Sequence, residues 1–285
     1  MNKILVCTDG SNYAREACRY AAWLAQRTGA RVEALYVSSL WEFELPFLFD
    51  LGGSIGATPY TAVTGQLEEI ENKKAGMIRE AVHNMLESHG VPIDDSTFQH
   101  STGLLVDCLD DYESGDNAAN LIILGKRGEN AESAKDHLGG NMERVVRASR
   151  QPCLVTNREF REIKKVCLAY DGSKSAEKAL DWLMSENVLR DLELHVICVD
   201  EGRGETDHAR DLNIAETRLN EAGIAAHCQL LTGDVEDEVE SFTEKNQIDL
   251  LVMGAYGHGR IRELLIGSTT SDLIRRCKIP VMLFR

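Results

Sequence analysis

The residues best suited to hold a phosphorylated ligand lie in a glycine-rich segment near the end of the chain, directly after an apolar run. Gly254, Gly257, Gly267 and Ser268 give this segment the spacing Gly-x2-Gly-x9-Gly-Ser. Glycine lets the backbone turn tightly and approach a ligand closely. A helix is expected to follow, with Ser268 or Thr269 as its N-cap, and the free N–H groups of a helix N-terminus bind phosphate oxygens. The segment therefore predicts a phosphate cradle.

An Asp-Gly-Ser triplet follows another apolar run, at Asp171, Gly172 and Ser173. In open α/β sheets, ligands bind at the carboxyl ends of the strands. We therefore expect the triplet, the end of the next strand at Val199 and the glycine-rich segment to converge on one site. His258 and the two arginines that follow it would add positive charge there, unless they are ordinary solvated loop residues.

The same features recur in the first half of the chain, so the chain contains an internal repeat. Three blocks match in the same order: residues 4–11 with 166–173, 121–125 with 250–254, and 150–155 with 278–283. The repeat predicts two domains, at residues 1–157 and 162–285. The join between them has no Pro, Gly or Ser, which favours packing of the two copies against each other.

Apolar runs of strand length alternate with amphipathic helical segments in each copy. Strands are expected near residues 3–8, 31–37, 96–101, 120–125 and 152–155, and again near 164–170, 192–199, 226–231, 248–254 and 279–284. Helices of the first copy are expected near residues 12–28, 66–89, 104–113 and 140–149. Continuous apolar strands separated by helices predict a parallel sheet covered on both faces. With right-handed crossovers, the fold class is α/β: two tandem Rossmann-like, doubly wound parallel sheets of five strands each.

The first copy differs from the second by an aromatic and glycine-rich insertion at residues 40–65. A loop packed over the carboxyl edge of the sheet is the favoured interpretation. A lid or a surface for docking a partner is the alternative, because aromatic residues are enriched at interfaces.

The composition is that of a globular protein, with 43% hydrophobic and 27% charged residues. A formal net charge of −15 argues against a nucleic-acid or anionic-membrane partner, because phosphates would be repelled. The N-terminal apolar run is too short for a signal peptide's hydrophobic region, and no stretch approaches the length of a membrane span. The eight cysteines occur singly, which is typical of core thiols in a reducing cytoplasm.

The Asp-Gly-Ser triplet together with Gly-x2-Gly-x9-Gly-Ser resembles the ATP-binding pattern of the universal stress protein family, over nearly the whole chain and twice. The resemblance implies the adenine nucleotide alpha hydrolase-like form of the fold. It also implies that Asp171 and Val199 contact adenine, and that the glycines and Ser268 bind ribose and phosphates. ATP is the expected ligand. Mg²⁺ is its candidate counter-ion, although the sequence offers no dedicated metal cage.

The first copy departs from that pattern. Its matching positions are Asp9, Val37, Gly125, Gly128 and Gly139. Ten residues instead of nine separate the last two glycines, and a second glycine replaces the terminal serine. The extra residue would shift the loop against the helix that must meet the phosphates. Asn141 as an N-cap and Lys126-Arg127 as a source of charge could compensate, so a second working site and a purely structural first copy both stay open.

No catalytic constellation is evident, so three functions are considered. The first is an ATP-binding regulatory or stress-response protein, in which the nucleotide biases conformation or assembly. The second is a slow ATPase or another nucleotide-dependent enzyme, with Asp171 or His258 as the only nearby candidate base. The third is an ATP-independent interaction scaffold that works through residues 40–65.

Assembly follows from the resemblance as well. Members of the family commonly dimerise through their last strands, so residues 152–155 and 280–284 are expected to pair within the chain. The chain would then be an intramolecular pseudo-dimer, and a homodimer of tandem chains is a further possibility. The sequence identifies no protein partner.

Overall fold

The computed structural model of the protein describes residues 1–38, 58–128, 138–186, 191–202, 207–255 and 268–285. Within these ranges, no helix is both long enough and apolar enough to cross a membrane.

The first copy supplies five strands and four helices within the described ranges. In chain order they are β1 (Lys3–Thr8), α1 (Asn12–Thr28), β2 (Arg31–Ser38), α2 (Thr58–Ser88), β3 (Phe98–Thr102), α3 (Leu105–Cys108), β4 (Leu121–Gly125), α4 (Gly140–Ala148) and β5 (Cys153–Thr156). Two short 3₁₀ turns, Asp110–Tyr112 and Gly115–Asn117, lie between α3 and β4.

The second copy repeats the alternation. Its elements are β6 (Lys165–Ala169), α5 (Lys174–Ser185), β7 (Glu193–Asp200), α6 (His208–Glu221), β8 (Ala226–Thr232), α7 (Val235–Lys245), β9 (Leu250–Gly254), α8 (Ser268–Arg276) and β10 (Val281–Phe284). All ten expected strands are confirmed, with ends that differ by no more than a few residues.

The strands form one sheet of ten, in the order β3-β2-β1-β4-β5-β10-β9-β6-β7-β8. Within each copy the neighbouring strands are parallel and follow the same doubly wound order. This confirms the predicted fold class. The side chains of β1 are buried along its whole length, as expected of a parallel strand with helices on both faces. Two clusters of buried apolar side chains, one on each face of the sheet, run across both copies.

The two copies are joined by antiparallel pairing of β5 with β10, as expected from the resemblance. Val281 lies opposite Val155, Met282 opposite Leu154 and Leu283 opposite Cys153. All six side chains are buried. The boundary between the copies is therefore a continuous part of the sheet and of its core.

The connecting segment is also anchored to the first copy. The backbone N–H of Phe160 donates to Glu16 Oε2 at 3.0 Å, and that of Arg161 donates to the Tyr20 hydroxyl at 3.0 Å. The rings of Tyr20 and Phe160 pack with their centroids 4.7 Å apart. These contacts agree with the prediction that the copies pack against each other.

Two helix predictions were wrong in extent. Helix α2 begins at Thr58 instead of near residue 66, so the end of the insertion is helical and not a loop. The helix tolerates Gly65, since an isolated glycine costs a helix only about 1 kcal/mol, and Pro59 suits a helix's first turn. The rest of the insertion lies outside the described residues.

The expected helix at 104–113 is reduced to the four residues of α3, followed by a 3₁₀ turn. The buried hydroxyl of Tyr112 reaches back to the carboxylate of Glu33 on β2. Local periodicity contains no sign of this long-range contact, which fixes Tyr112 in the 3₁₀ turn.

All eight cysteines lie in described parts of the chain and are free thiols. Six are buried, and only Cys108 and Cys228 are partly exposed. Burial raises the pKa of the Cys18 and Cys153 thiols to about 12. The raised values follow from the cost of placing a thiolate in an apolar interior.

We therefore expect a thiol reagent such as DTNB to modify no more than Cys108 and Cys228 rapidly in the native protein at neutral pH. In guanidinium chloride all eight thiols should react. Rapid reaction of more than two thiols without denaturant would contradict the packing described here.

Candidate functional site

The turn between β6 and α5 is built by the Asp-Gly-Ser triplet. The Ser173 side chain caps α5 by accepting from the backbone N–H of Ala176 at 3.2 Å, and its own N–H donates to Asp171 Oδ1 at 3.0 Å. Gly172 has φ +70°, a left-handed conformation that favours glycine. A Cβ there would also come within 2.8 Å of Asp211 Oδ2, at the start of α6.

Strand register brings the predicted adenine contacts to one edge of the sheet. Ala169 of β6 lies opposite Ile197 of β7 and Met253 of β9. Asp171 and Val199 therefore each lie two residues beyond this aligned row of residues, and Gly254 lies one residue beyond it. The Val199 side chain is partly buried and packs against the core cluster that contains Ile197. The three strand ends meet at the carboxyl edge, where a ligand is expected.

Gly254 has a packing role in this arrangement. A Cβ on Gly254 would overlap Ser175 Oγ and would lie 3.2 Å from the backbone nitrogen of Ala176. The first turn of α5 can therefore approach the end of β9 only because residue 254 lacks a side chain.

Helix α8 begins beside the same edge. Its first residue is Ser268, and Thr270 Oγ1 donates to the carbonyl of Ala255 at 3.1 Å, directly after β9. Ser268 and Thr269 are thus in the first turn and not at the expected N-cap position, because the helix starts one residue earlier than predicted. Their backbone N–H groups belong to the helix terminus that was expected to meet phosphates. The predicted site residues Gly257, His258 and Gly267 lie outside the described residues.

Carboxylates dominate the electrostatics of the β6–β7 side of the edge. Burial raises the pKa of the Cys198 thiol to about 12, with further contributions from nearby Asp171, Asp211 and Asp200. Asp200 Oδ1 also accepts from the N–H of Gly202 at 2.8 Å. This side suits hydrogen-bond donors such as hydroxyl and amino groups, and it would repel phosphates.

The first copy builds the same turn at the end of β1. Ser11 caps α1 by accepting from the N–H of Ala14 at 3.2 Å, and its own N–H donates to Asp9 Oδ1 at 2.9 Å. Val37 lies in β2, one residue beyond the pair formed by Thr8 and Tyr36. The equivalent positions of the two copies therefore share their local geometry.

The glycines of the first copy also come together. A Cβ on Gly125 would meet Tyr13 Cβ at 2.7 Å, and one on Gly128 would meet Asp9 Oδ2 at 2.8 Å. Gly139 is the N-cap of α4, and its N–H donates to the carbonyl of Lys126 at 3.1 Å.

Of the two compensating roles expected in the first copy, the Asn141 cap is wrong, and Lys126, one of the two residues expected to supply charge, is directed elsewhere. Lys126 is only 8% exposed, and its ammonium donates to the carbonyls of Arg275 at 2.8 Å and Cys277 at 3.2 Å, away from the predicted phosphate position. Asn141 cannot cap α4 because it lies inside the helix, and the cap residue Gly139 offers no side-chain hydrogen bond.

The other polar groups of the described ranges form no metal centre. No group of three or more His, Cys, Asp or Glu side chains there is arranged to hold a metal ion. His195 is buried and pairs with Glu193 through a 2.8 Å contact, as a satisfied core histidine does. Ser38 Oγ lies 3.0 Å from His100 Nε2 at the end of β2, a pair that sequence reasoning missed, but Ser38 is only 2% exposed.

A doubly wound sheet repeated twice, with matching turns at each carboxyl edge, defines a tandem Rossmann-like α/β protein. A family model described as the universal stress protein family matches residues 1–97 and 162–285. Universal stress protein Slr1230 of Synechocystis sp. is 41% identical over 292 residues, which cover 100% of both chains. The protein belongs to the universal stress protein family.

Solved structures with lower sequence identity share the whole fold. A universal stress protein from Archaeoglobus fulgidus superimposes with a TM-score of 0.72 at 22% identity, covering 100% of this chain and 98% of that one. A functionally unknown protein from Pseudomonas aeruginosa PAO1 gives a TM-score of 0.63 at 16% identity, with 100% and 92% coverage. The tandem arrangement of this chain therefore occurs in other proteins of the same fold.

The close approach at Gly254 can be tested by adding one methyl group. Gly254→Ala should destabilise the protein by roughly 1–3 kcal/mol, because the new Cβ meets the first turn of α5. Gly140→Ala is a matched control, since a Cβ there meets nothing within 4 Å. It should be neutral or stabilising by up to about 1 kcal/mol. Chemical denaturation measures both changes, and equal stabilities for the two variants would refute the packing role.

Proposed function

We propose that the second copy binds ATP at the carboxyl edge formed by β6, β7, β9 and the start of α8, and that the nucleotide serves as a regulatory ligand in a stress response. The observation that carries this proposal is the convergence of Asp171, Val199, Gly254 and Ser268 on one edge, in a chain that belongs to the universal stress protein family.

The charges at this edge favour one orientation of the nucleotide. Adenine carries an amino group and ribose carries hydroxyl groups, and these donors match the carboxylates of Asp171, Asp200 and Asp211. Phosphates need donors instead, which the backbone N–H groups at the start of α8 would provide. The base and sugar would therefore lie over β6 and β7, with the phosphates towards Ser268. Mg²⁺ bound to the phosphates would compensate part of their charge.

The first copy has the same turn at Asp9 but a different phosphate side. Lys126, directly after β4, extends into the neighbouring copy, and α4 begins at Gly140 after a glycine N-cap that offers no side-chain hydrogen bond. We propose that its affinity for ATP is lower than that of the second copy.

Two other functions remain as competitors. Hydrolysis needs a base near the γ-phosphate. Of the two candidate bases, Asp171 is on the adenine side in the orientation proposed above, and His258 lies outside the described residues. An ATP-independent scaffold would use residues 40–65, of which only the helical end is described. Eight free thiols favour a reducing compartment such as the cytoplasm, and a homodimer of tandem chains is a further part of the proposal.

Asp171→Asn tests the nucleotide site while keeping the turn, because an amide oxygen can still accept from Ser173 N–H. Loss of the charged acceptor should weaken ATP binding by roughly tenfold or more. Asp9→Asn is the matched variant in the first copy and should leave the tighter binding step unchanged. Isothermal titration calorimetry on the three proteins gives the affinity and the number of ATP molecules per chain.

The outcomes separate the competing functions. Absence of ATP binding by the unmodified chain would exclude the nucleotide function and favour the scaffold. A larger loss from Asp9→Asn than from Asp171→Asn would place the working site in the first copy. Phosphate release over many turnovers would favour an ATPase.

A further inference from the structure

The C-terminus of helix α8 contacts a positively charged side chain of the first copy. The Lys126 ammonium, which extends from the loop after β4, donates to the carbonyl oxygens of Arg275 at 2.8 Å and Cys277 at 3.2 Å. Carbonyl groups at a helix C-terminus lack partners within the helix and carry partial negative charge. A buried ammonium therefore holds this end of α8 in place.

The opposite end of α8 lies at the proposed nucleotide site. Ser268 is its first residue, and Thr270 ties the first turn to Ala255 after β9. The helix has nine residues and is about 14 Å long, at 1.5 Å of rise per residue. Leu273 and Ile274 are buried against the sheet, which makes this short helix a rigid connection between its two ends. A shift at the C-terminus would therefore move the N–H groups that face the phosphates.

In the second copy, the position that matches Lys126 is occupied by Ala255. The N–H of Lys126 donates to Thr156 O at 2.8 Å, and the N–H of Ala255 donates to Phe284 O at 2.7 Å, so the two residues occupy matching positions. Alanine has no side chain that could cross to the first copy. The end of α4 is held differently, by Arg285 NH1, which donates to the carbonyl of Arg147 at 2.6 Å.

We propose that Lys126 is a positioning residue for the nucleotide site of the second copy: the first copy's loop holds α8 so that its N-terminus faces the phosphates. This inference rests on the proposed function. It gives the first copy a role that does not require it to bind ATP. It also accounts for a lysine at a position where the second copy has alanine.

The test measures ATP affinity by calorimetry in chains that all carry Asp9→Asn. This substitution weakens any site in the first copy, so the measured affinity is that of the second copy. Lys126→Met removes the ammonium and should weaken binding roughly three- to tenfold. Lys126→Arg retains a cationic donor and should restore most of the affinity. Arg285→Met, which releases α4 instead, is the control and should stay within about twofold of its parent.

A pH series on the unmodified chain provides a readout that depends on the charge of Lys126. The pKa of this ammonium is lowered to about 8, chiefly by burial; the Cys277 thiol opposes the shift, and Arg127 and Arg275 add to it. The Cys277 thiol, with a pKa of about 11, titrates above this window. ATP affinity should therefore fall as the pH rises from about 7 to about 9. The Lys126→Arg chain should lose that dependence.

Each negative result has a distinct meaning. If the parent chain does not bind ATP, the proposed function fails and this inference fails with it. If the parent binds ATP and Lys126→Met binds equally well, only the inference is overturned. If Lys126→Met does not fold, the comparison of the unmodified chain with Lys126→Arg decides, and a pH profile that is the same in both overturns the inference.

Discussion

The antiparallel pairing of β5 with β10 is the constraint on which the rest of the molecule depends. It joins two parallel five-stranded sheets into one sheet of ten and makes both core clusters continuous across the boundary. Each partner strand has only four residues, but their side chains are buried on both faces. The relative position of the copies is therefore set by backbone hydrogen bonds and core packing.

That fixed relation lets each copy stabilise a helix of the other. Lys126 and Arg285 reach the C-termini of α8 and α4, whose N-termini lie at the two carboxyl edges. Cations at helix C-termini are favourable because of the helix dipole. Two similar domains on a flexible linker could not maintain such contacts. The continuous sheet thus allows a loop of one copy to contact a helix of the other.

Much of this architecture was predictable from the sequence, because strands buried on both faces read as continuous apolar runs. The Asp-Gly-Ser turns were predictable as well, since their geometry depends on neighbouring residues only. The direction of Lys126 was not, because it depends on a helix that lies about 150 residues further along the chain. The shortening of α3 was missed for the same reason, since Tyr112 pairs with Glu33 across the sheet. Contacts between distant residues leave little trace in local periodicity.

The central claim is that a nucleotide lies over β6 and β7 with its phosphates at the start of α8. Hydrogen–deuterium exchange of the intact chain, with and without ATP and resolved to individual peptides, tests it most directly. The account predicts slower exchange at the amides of residues 171–175 and at the first turn of α8. The equivalent amides after β1 and at the start of α4 should change less. Protection confined to the first copy, or no change at either edge with saturating ATP, would contradict the account.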